Sequence, residues 1–181
     1  DFSLVFNKKL LDEGNVMPHI DHCYTFYIVG NEIKKVEIFT VDLCIFTLID
    51  TNLHLLTITR KHDPYAGCLA NPGGFVDEGE EKNSLISANR ELKEECNLDL
   101  PNLKFVTRHS EEYRDPRSRY SVTDVYSTIL DYIPAVTAGD DASDFKWVLL
   151  NKVNGKYKLP DVNFAFDHKD IIQMCLDKFN L

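Results

Sequence analysis

Basic residues are scarce in this chain: 20 lysines and arginines stand against 29 acids, for a net charge of −9. Affinity for a duplex rests on neutralising phosphates with such cations, so this balance predicts no nucleic-acid partner. No run of about 18 apolar residues occurs, which predicts no membrane span. The opening residues, DFSLVFNKKL, lack the basic start and apolar core of a secretory leader. There is no CXXC pair, and the five cysteines (Cys23, Cys44, Cys68, Cys96 and Cys175) are odd in number and widely spaced. They read as reduced thiols of a cytoplasmic protein. The segment HIDHC around Cys23 has no second ligand cluster to complete a zinc site. Internal repeats and low-complexity tracts are also missing. With 44% hydrophobic residues, a chain of 181 can bury one good core, which suggests a single domain with an extension.

What the chain does have is a dense acidic segment behind a glycine turn, Gly73 to Leu98, GGFVDEGEEKNSLISANRELKEECNL. On a helix advancing about 100° per residue, Glu94 lies near −60° and Glu95 near +40° of Glu91. Arg90 falls one turn before Glu94 and can pair with it. Leu85, Ala88, Leu92 and Cys96 form a narrow apolar stripe on one side, which predicts burial against a sheet. The acids therefore border a cleft, and Glu80 approaches it from the preceding loop. Like charges at these spacings cost roughly 0.2–0.5 kcal/mol per pair. A hard divalent ion removes that penalty, because Mg²⁺ takes oxygen ligands and leaves positions for water and substrate phosphates. Gly73 and Gly74 allow the backbone to come close to a ligand.

This segment resembles the Nudix box, GX5EX7REUXEEXGU with U a bulky aliphatic. Gly74 and Glu80 fit its first spacing, and Arg90, Glu91, Leu92, Glu94, Glu95 and Leu98 fit its second half. Two departures stand out: nine residues separate Glu80 from Arg90 where the pattern has seven, and Asn97 replaces the last glycine. Asn is the next-best residue for the left-handed turn that ends a helix. Weaker motifs resemble the ADP-ribose pyrophosphatase subgroup, over roughly Val36 to Leu176. They are Arg60 leading into Asp63-Pro64-Tyr65, then Arg114-Asp115-Pro116-Arg117 with Arg119, then Ala138 to Ala142, then Ala165 to His168. Where that subgroup usually has leucine before Pro-Gly-Gly this chain has Asn71, and Leu69 replaces an expected aromatic.

The resemblance implies an α/β fold, the Nudix α/β/α sandwich with a mixed sheet. It implies metal-dependent hydrolysis of the pyrophosphate bond of a nucleoside diphosphate derivative, with ADP-ribose cut to AMP and ribose 5-phosphate. The alternatives are another nucleotide (NADH, a dinucleoside polyphosphate or a damaged nucleotide) and a domain that senses ADP-ribose without turnover. Mg²⁺ is the expected cofactor, with Mn²⁺ as a substitute, held by Glu80, Glu91, Glu94, Glu95 and the Gly74 carbonyl. Glu91 is alternatively the residue that orients the water, and Arg90 fixes a glutamate. Asp140 or Asp141, on a loop able to fold over the cleft, is the expected general base, with Asp141 taken as the catalytic residue. Arg114, Arg117 and Arg119 suit phosphates through bidentate guanidinium contacts, and Arg60, Gly73 and Gly74 complete the substrate-binding set. Tyr65, Phe75 and Tyr113 are candidates for stacking on adenine, and His168 reads as structural.

Residues 1–32 read as an N-terminal extension, with a strand at Tyr24 to Val29 and apolar content that predicts docking or a homodimer contact; 33–181 form the domain. Val36 to Ile49 and Leu53 to Thr59 predict a hairpin. The helix is expected from Asn83 or Ser84, either of which could cap it. Leu103 to His109, Tyr120 to Tyr132 and Phe145 to Leu150 predict strands, with EEYRDPRSR as a charged loop between the first two. Phe166 to Phe179 predicts a closing amphipathic helix.

Overall fold

The protein's structure, a computed structural model, describes residues 26–29, 32–137 and 142–181. Of the extension expected over residues 1–32, with its strand at Tyr24 to Val29, residues 1–25, 30 and 31 lie outside the described residues. Phe26–Val29 (β1) and Glu32–Lys35 (β2) form an antiparallel hairpin.

The main sheet is built on Ile38–Ile49 (β3), a β-branched and aromatic run that suits a pleated buried surface. Asn52–Arg60 (β4) pairs antiparallel with β3, followed by Leu69–Ala70 (β5) on β4 and Gly73–Phe75 (β6) on β3. Lys104–Asp115 (β7) and Ser118–Leu130 (β8) form a long antiparallel hairpin, and Ala142–Leu149 (β9) pairs with β4. β8 runs parallel to β3, so the sheet is mixed. Asn151–Val153 (β10) and Lys156–Lys158 (β11) form a small separate hairpin.

Alternation along β3 divides the core. Val41, Leu43 and Ile45 face the helix Leu85–Cys96 (α1), packed with Ala88, Leu92 and Cys96 as the apolar stripe requires. Cys44 and Phe46 face the helix His168–Lys178 (α2), against Ile171, Ile172, Cys175 and Leu176. This gives the α/β/α sandwich. Asp42 shares the Cys44 face, so a carboxylate is buried at the end of an apolar row.

Two local expectations change and one holds. EEYRDPRSR is not a loop: all but its Pro116-Arg117 turn extends β7 and β8. An edge strand tolerates polar residues on its open face, and β7 carries them. Ser84 stands at the N-cap of α1, but its hydroxyl donates to Asp124 Oδ2 at 2.5 Å rather than accepting from the first turn. Asn97 does end α1 in the left-handed conformation, at φ 52°, with its N–H donating to the Lys93 carbonyl.

Candidate functional site

A cavity of about 330 Å³ opens where β3, β4, β6, α1 and the β7–β8 turn meet, within the range of roughly 300–1,000 Å³ usual for small-molecule sites. One wall is acidic. β6 pairs with β3 so that Gly74 lies opposite Val41 and Gly73 opposite Asp42, bringing the glycine turn beneath α1. Glu95, only 8% exposed, accepts the Gly73 N–H at 2.8 Å. The Glu91 carboxylate lies flat on Gly74: a Cβ there would come within 2.4 Å of it. Gly73 is needed for another reason, because a Cβ would meet the Val41 carbonyl oxygen at 2.1 Å.

Glu91, Glu94 and Glu95 all line this cavity. Arg90 does not line it and holds the acids from behind, at 2.7 Å from Glu91, 3.3 Å from Glu94 and 3.1 Å from Asp77. It also donates to the Phe75 carbonyl at 2.9 Å. Burial raises the Glu91 carboxyl above its usual range, and the charges of Glu94 and Asp77 add to this, against the opposing pull of Arg90. Glu80 stands apart from the cavity, accepting from the Ser87 hydroxyl at 2.5 Å. The two extra residues before Arg90 give that loop its own anchor. Among the described residues no three acidic, histidine or cysteine side chains already converge as a metal site does. Arg90 draws Glu91 and Glu94 to itself, while Gly73 draws Glu95. The donor set nevertheless suits a hard divalent cation: three carboxylates share one wall with a glycine turn free of side chains.

Arginines line the cavity as well. They are Arg60, Arg114 and Arg117. Arg117 pairs with Asp115 at 2.6 Å and lies over the rings of Phe75 and Phe166, at 5.3 and 5.7 Å. Arg60 covers Phe166 at 4.8 Å. Burial and the neighbouring Arg117 charge push the Arg60 guanidinium below the usual arginine range. Two guanidiniums crowded on one ring favour an anion between them. Arg114, with its side chain 4% exposed, is held by both oxygens of Asp167 at 2.8 Å and reaches Asp42 at 3.4 Å. Burial alone would raise the Asp167 carboxyl, but hydrogen bonds from His109 and Arg114 outweigh it and hold the group at about 2.

His168 accepts the Asn71 N–H at Nδ1, 2.8 Å away, so its other nitrogen, 3.3 Å from Asp42, carries the proton. Burial lowers its pKa, in keeping with a neutral ring. Arg119 lies outside the cavity on the exposed hairpin, paired with Glu112 at 3.1 Å. Asp141 lies outside the described residues. Of the aromatic candidates, Phe75 lines the cavity, Tyr65 packs on Phe166 at 4.8 Å, and exposed Tyr113 sits under Arg119. Sequence reasoning missed Asp42 and Asp115. The signal for Asp42 was a lone acid inside the apolar run IFTVDLCIF.

The family model described as NUDIX domain matches residues 38–173. The chain is 33% identical over 141 residues to the ADPR responsive transcriptional repressor NtrR of Acinetobacter baylyi, across 78% of this chain and 54% of that protein. It is 38% identical over 128 residues to an ADP-ribose pyrophosphatase of Methanocaldococcus jannaschii, across 70% of this chain and 68% of that protein. A structure of Shewanella oneidensis NrtR complexed with a 27mer DNA superposes with a TM-score of 0.60 at 27% identity, over 78% of this chain and 61% of that one. The chain thus spans about half the length of the repressor it matches.

The expectation of no nucleic-acid partner is overturned here. One relative is a transcriptional repressor and another was solved on DNA. A net charge summed over a whole chain does not tell where its cations lie. Among the described residues, no helix is long and apolar enough to cross a membrane. With its acidic helix, glycine turn and mixed sheet matched over residues 38–173, this chain belongs to the Nudix family.

Proposed function

We propose that the cavity binds ADP-ribose or a close nucleoside diphosphate derivative, and that it hydrolyses the pyrophosphate bond with a divalent metal. The observation that carries this reading is that one cavity is lined both by three carboxylates, Glu91, Glu94 and Glu95, and by the guanidiniums of Arg60 and Arg117. A diphosphate needs both: guanidiniums for its oxygens and a cation between it and the glutamates. Glu91, Glu94 and Glu95 would hold Mg²⁺ or Mn²⁺, together with the Gly74 carbonyl. Such an ion polarises phosphoryl oxygens and lowers the pKa of bound water.

The chain's own residues do the rest. Arg60 and Arg117 orient the diphosphate, and Arg90 keeps Glu91 and Glu94 aligned. Arg114, tied to Asp167 and Asp42, stiffens the floor beneath. Water adds to one phosphorus, the bridging P–O bond breaks, and AMP and ribose 5-phosphate leave. Asp141 remains our proposed base for that water.

A second reading has specific support. Two of the relatives similar in sequence carry ADP-ribose in their names, and of this pair one is named for hydrolysis. Glu80, anchored on Ser87 and away from the cavity, leaves the acidic wall with three carboxylates, which suits a domain that binds ADP-ribose without turnover. Incubation with ADP-ribose, NADH and a dinucleoside polyphosphate, with and without Mg²⁺, separates the two. Metal-dependent AMP release from ADP-ribose supports hydrolysis. Calorimetric binding with no product after long incubation supports sensing, and neither binding nor product rejects both.

A further inference from the structure

The floor of the cavity holds an unmet demand. Asn71 lines the cavity and is 2% exposed, yet neither its Oδ1 nor its Nδ2 has a hydrogen-bond partner. A buried polar group left unsatisfied is destabilising, and leucine, close in size, would remove that cost. The backbone around it has no such freedom to improvise. The Asn71 N–H is bound to His168, the Pro72 carbonyl accepts from Leu43, and the Gly73 N–H is bound to Glu95. Rotation of the side chain is what remains to present the amide to a ligand.

The surroundings indicate which part of a ligand could satisfy it. Near Asn71 the floor is polar, with Asp42, Arg114 and His168, all buried. The Phe166 ring is already covered by Tyr65, His168 and Arg60, at 4.8, 5.4 and 4.8 Å. A flat base therefore has no open face to stack on at the floor. At the rim, Phe75 is 51% exposed and can offer one. With the base outside and the diphosphate held by the charged lining, the group that reaches inward is the second sugar. Its neighbouring hydroxyls both donate and accept, which matches an amide.

We propose that Asn71 is a specificity residue that hydrogen-bonds the hydroxyls of the sugar beyond the diphosphate. This rests on the reading of the cavity as a nucleoside diphosphate site. The test is calorimetry on this chain and on Asn71→Leu, with Ca²⁺ in place of Mg²⁺ as the bridging cation, with ADP-ribose, with ADP, and with an ADP-ribose analogue whose second sugar has its hydroxyls replaced by hydrogen. Asn71→Leu should weaken ADP-ribose on the order of tenfold and leave ADP unchanged. The deoxy analogue should bind both chains alike. The melting temperature of ligand-free Asn71→Leu should equal or exceed that of the parent. Should Asn71→Leu fail to fold, Asn71→Ser, too short to reach, should give the same loss for ADP-ribose.

Equal affinity of parent and variant for ADP-ribose would overturn the inference and leave the site's reading intact. So would an equal loss for ADP, or a lower melting point with unchanged binding, which would mark Asn71 as a structural group satisfied by buried water. A parent chain that binds neither nucleotide would overturn both.

Discussion

On the α1 side of the cavity one guanidinium, Arg90, serves three carboxylates, Asp77, Glu91 and Glu94. Elsewhere on the lining, Arg114 and Arg117 each hold acids of their own, Arg114 holding Asp167 and Asp42 and Arg117 holding Asp115. Both sets are charged, but the first has three acids to one guanidinium. Burial raises the carboxyl of Glu91, while the pairing of Asp115 and Asp167 lowers theirs despite burial. The difference teaches that charge density alone does not mark a site. Arg114 with its two acids braces the fold, whereas the glutamates that share Arg90 are where we propose a cation binds.

The comparison breaks most clearly at Glu94, whose side chain is 60% exposed and free of any folding duty beyond Arg90. Glu94→Gln should reduce metal-dependent AMP release by roughly a thousandfold with an unchanged denaturation midpoint. A rate within a fewfold of the parent would remove the acidic wall from the chemistry.

Around Arg114 the same kind of change should act on stability. Arg114→Ala leaves Asp167 and Asp42 buried without their cation, which should cost about 3–5 kcal/mol in chemical denaturation. A smaller loss, below about 1 kcal/mol, would mean that the network is already wet.

Acid sharpens the contrast. The Asp167 carboxyl sits at about 2 in the folded chain against an ordinary 3.8, so its folded value is depressed. Its stabilisation is therefore complete above about pH 4 and is lost as pH falls toward 2. It amounts to roughly 2 kcal/mol. Denaturation curves taken across that window should show the loss in the parent and little of it in Asp167→Asn.

The smallest effect should come from Arg119, paired with Glu112 on the exposed hairpin. Arg119→Ala should change neither the denaturation midpoint nor ADP-ribose binding, since exposed pairs contribute little. A weakened affinity would bring the hairpin into the site.

Much of this was legible in the residues. The stripe of Ala88, Leu92 and Cys96 predicted which face of α1 is buried, and Asn97 predicted its left-handed end. Periodicity reports local geometry, and local geometry fixed these. The pattern of charge pairing was not legible, because Arg114 finds Asp167 across 53 positions and Asp42 across 72. No spacing rule reaches that far. Ser84 looked like a cap and instead bonds Asp124, a partner that only the folded sheet supplies. Both strands of the β7–β8 hairpin were predicted, but its tip was hidden for a related reason. Its polar tip reads as loop until the strand is known to lie at a sheet edge.

The central claim is that Glu91, Glu94 and Glu95 together hold a divalent cation beside a bound diphosphate. Its most direct test is a titration of Mn²⁺, followed by water-proton relaxation, into the parent and into the chain with all three glutamates changed to glutamine, each with and without ADP-ribose. The account predicts that the parent binds Mn²⁺ more tightly when ADP-ribose is present and that the triple variant loses this binding. Equal Mn²⁺ affinity in the two chains would contradict it.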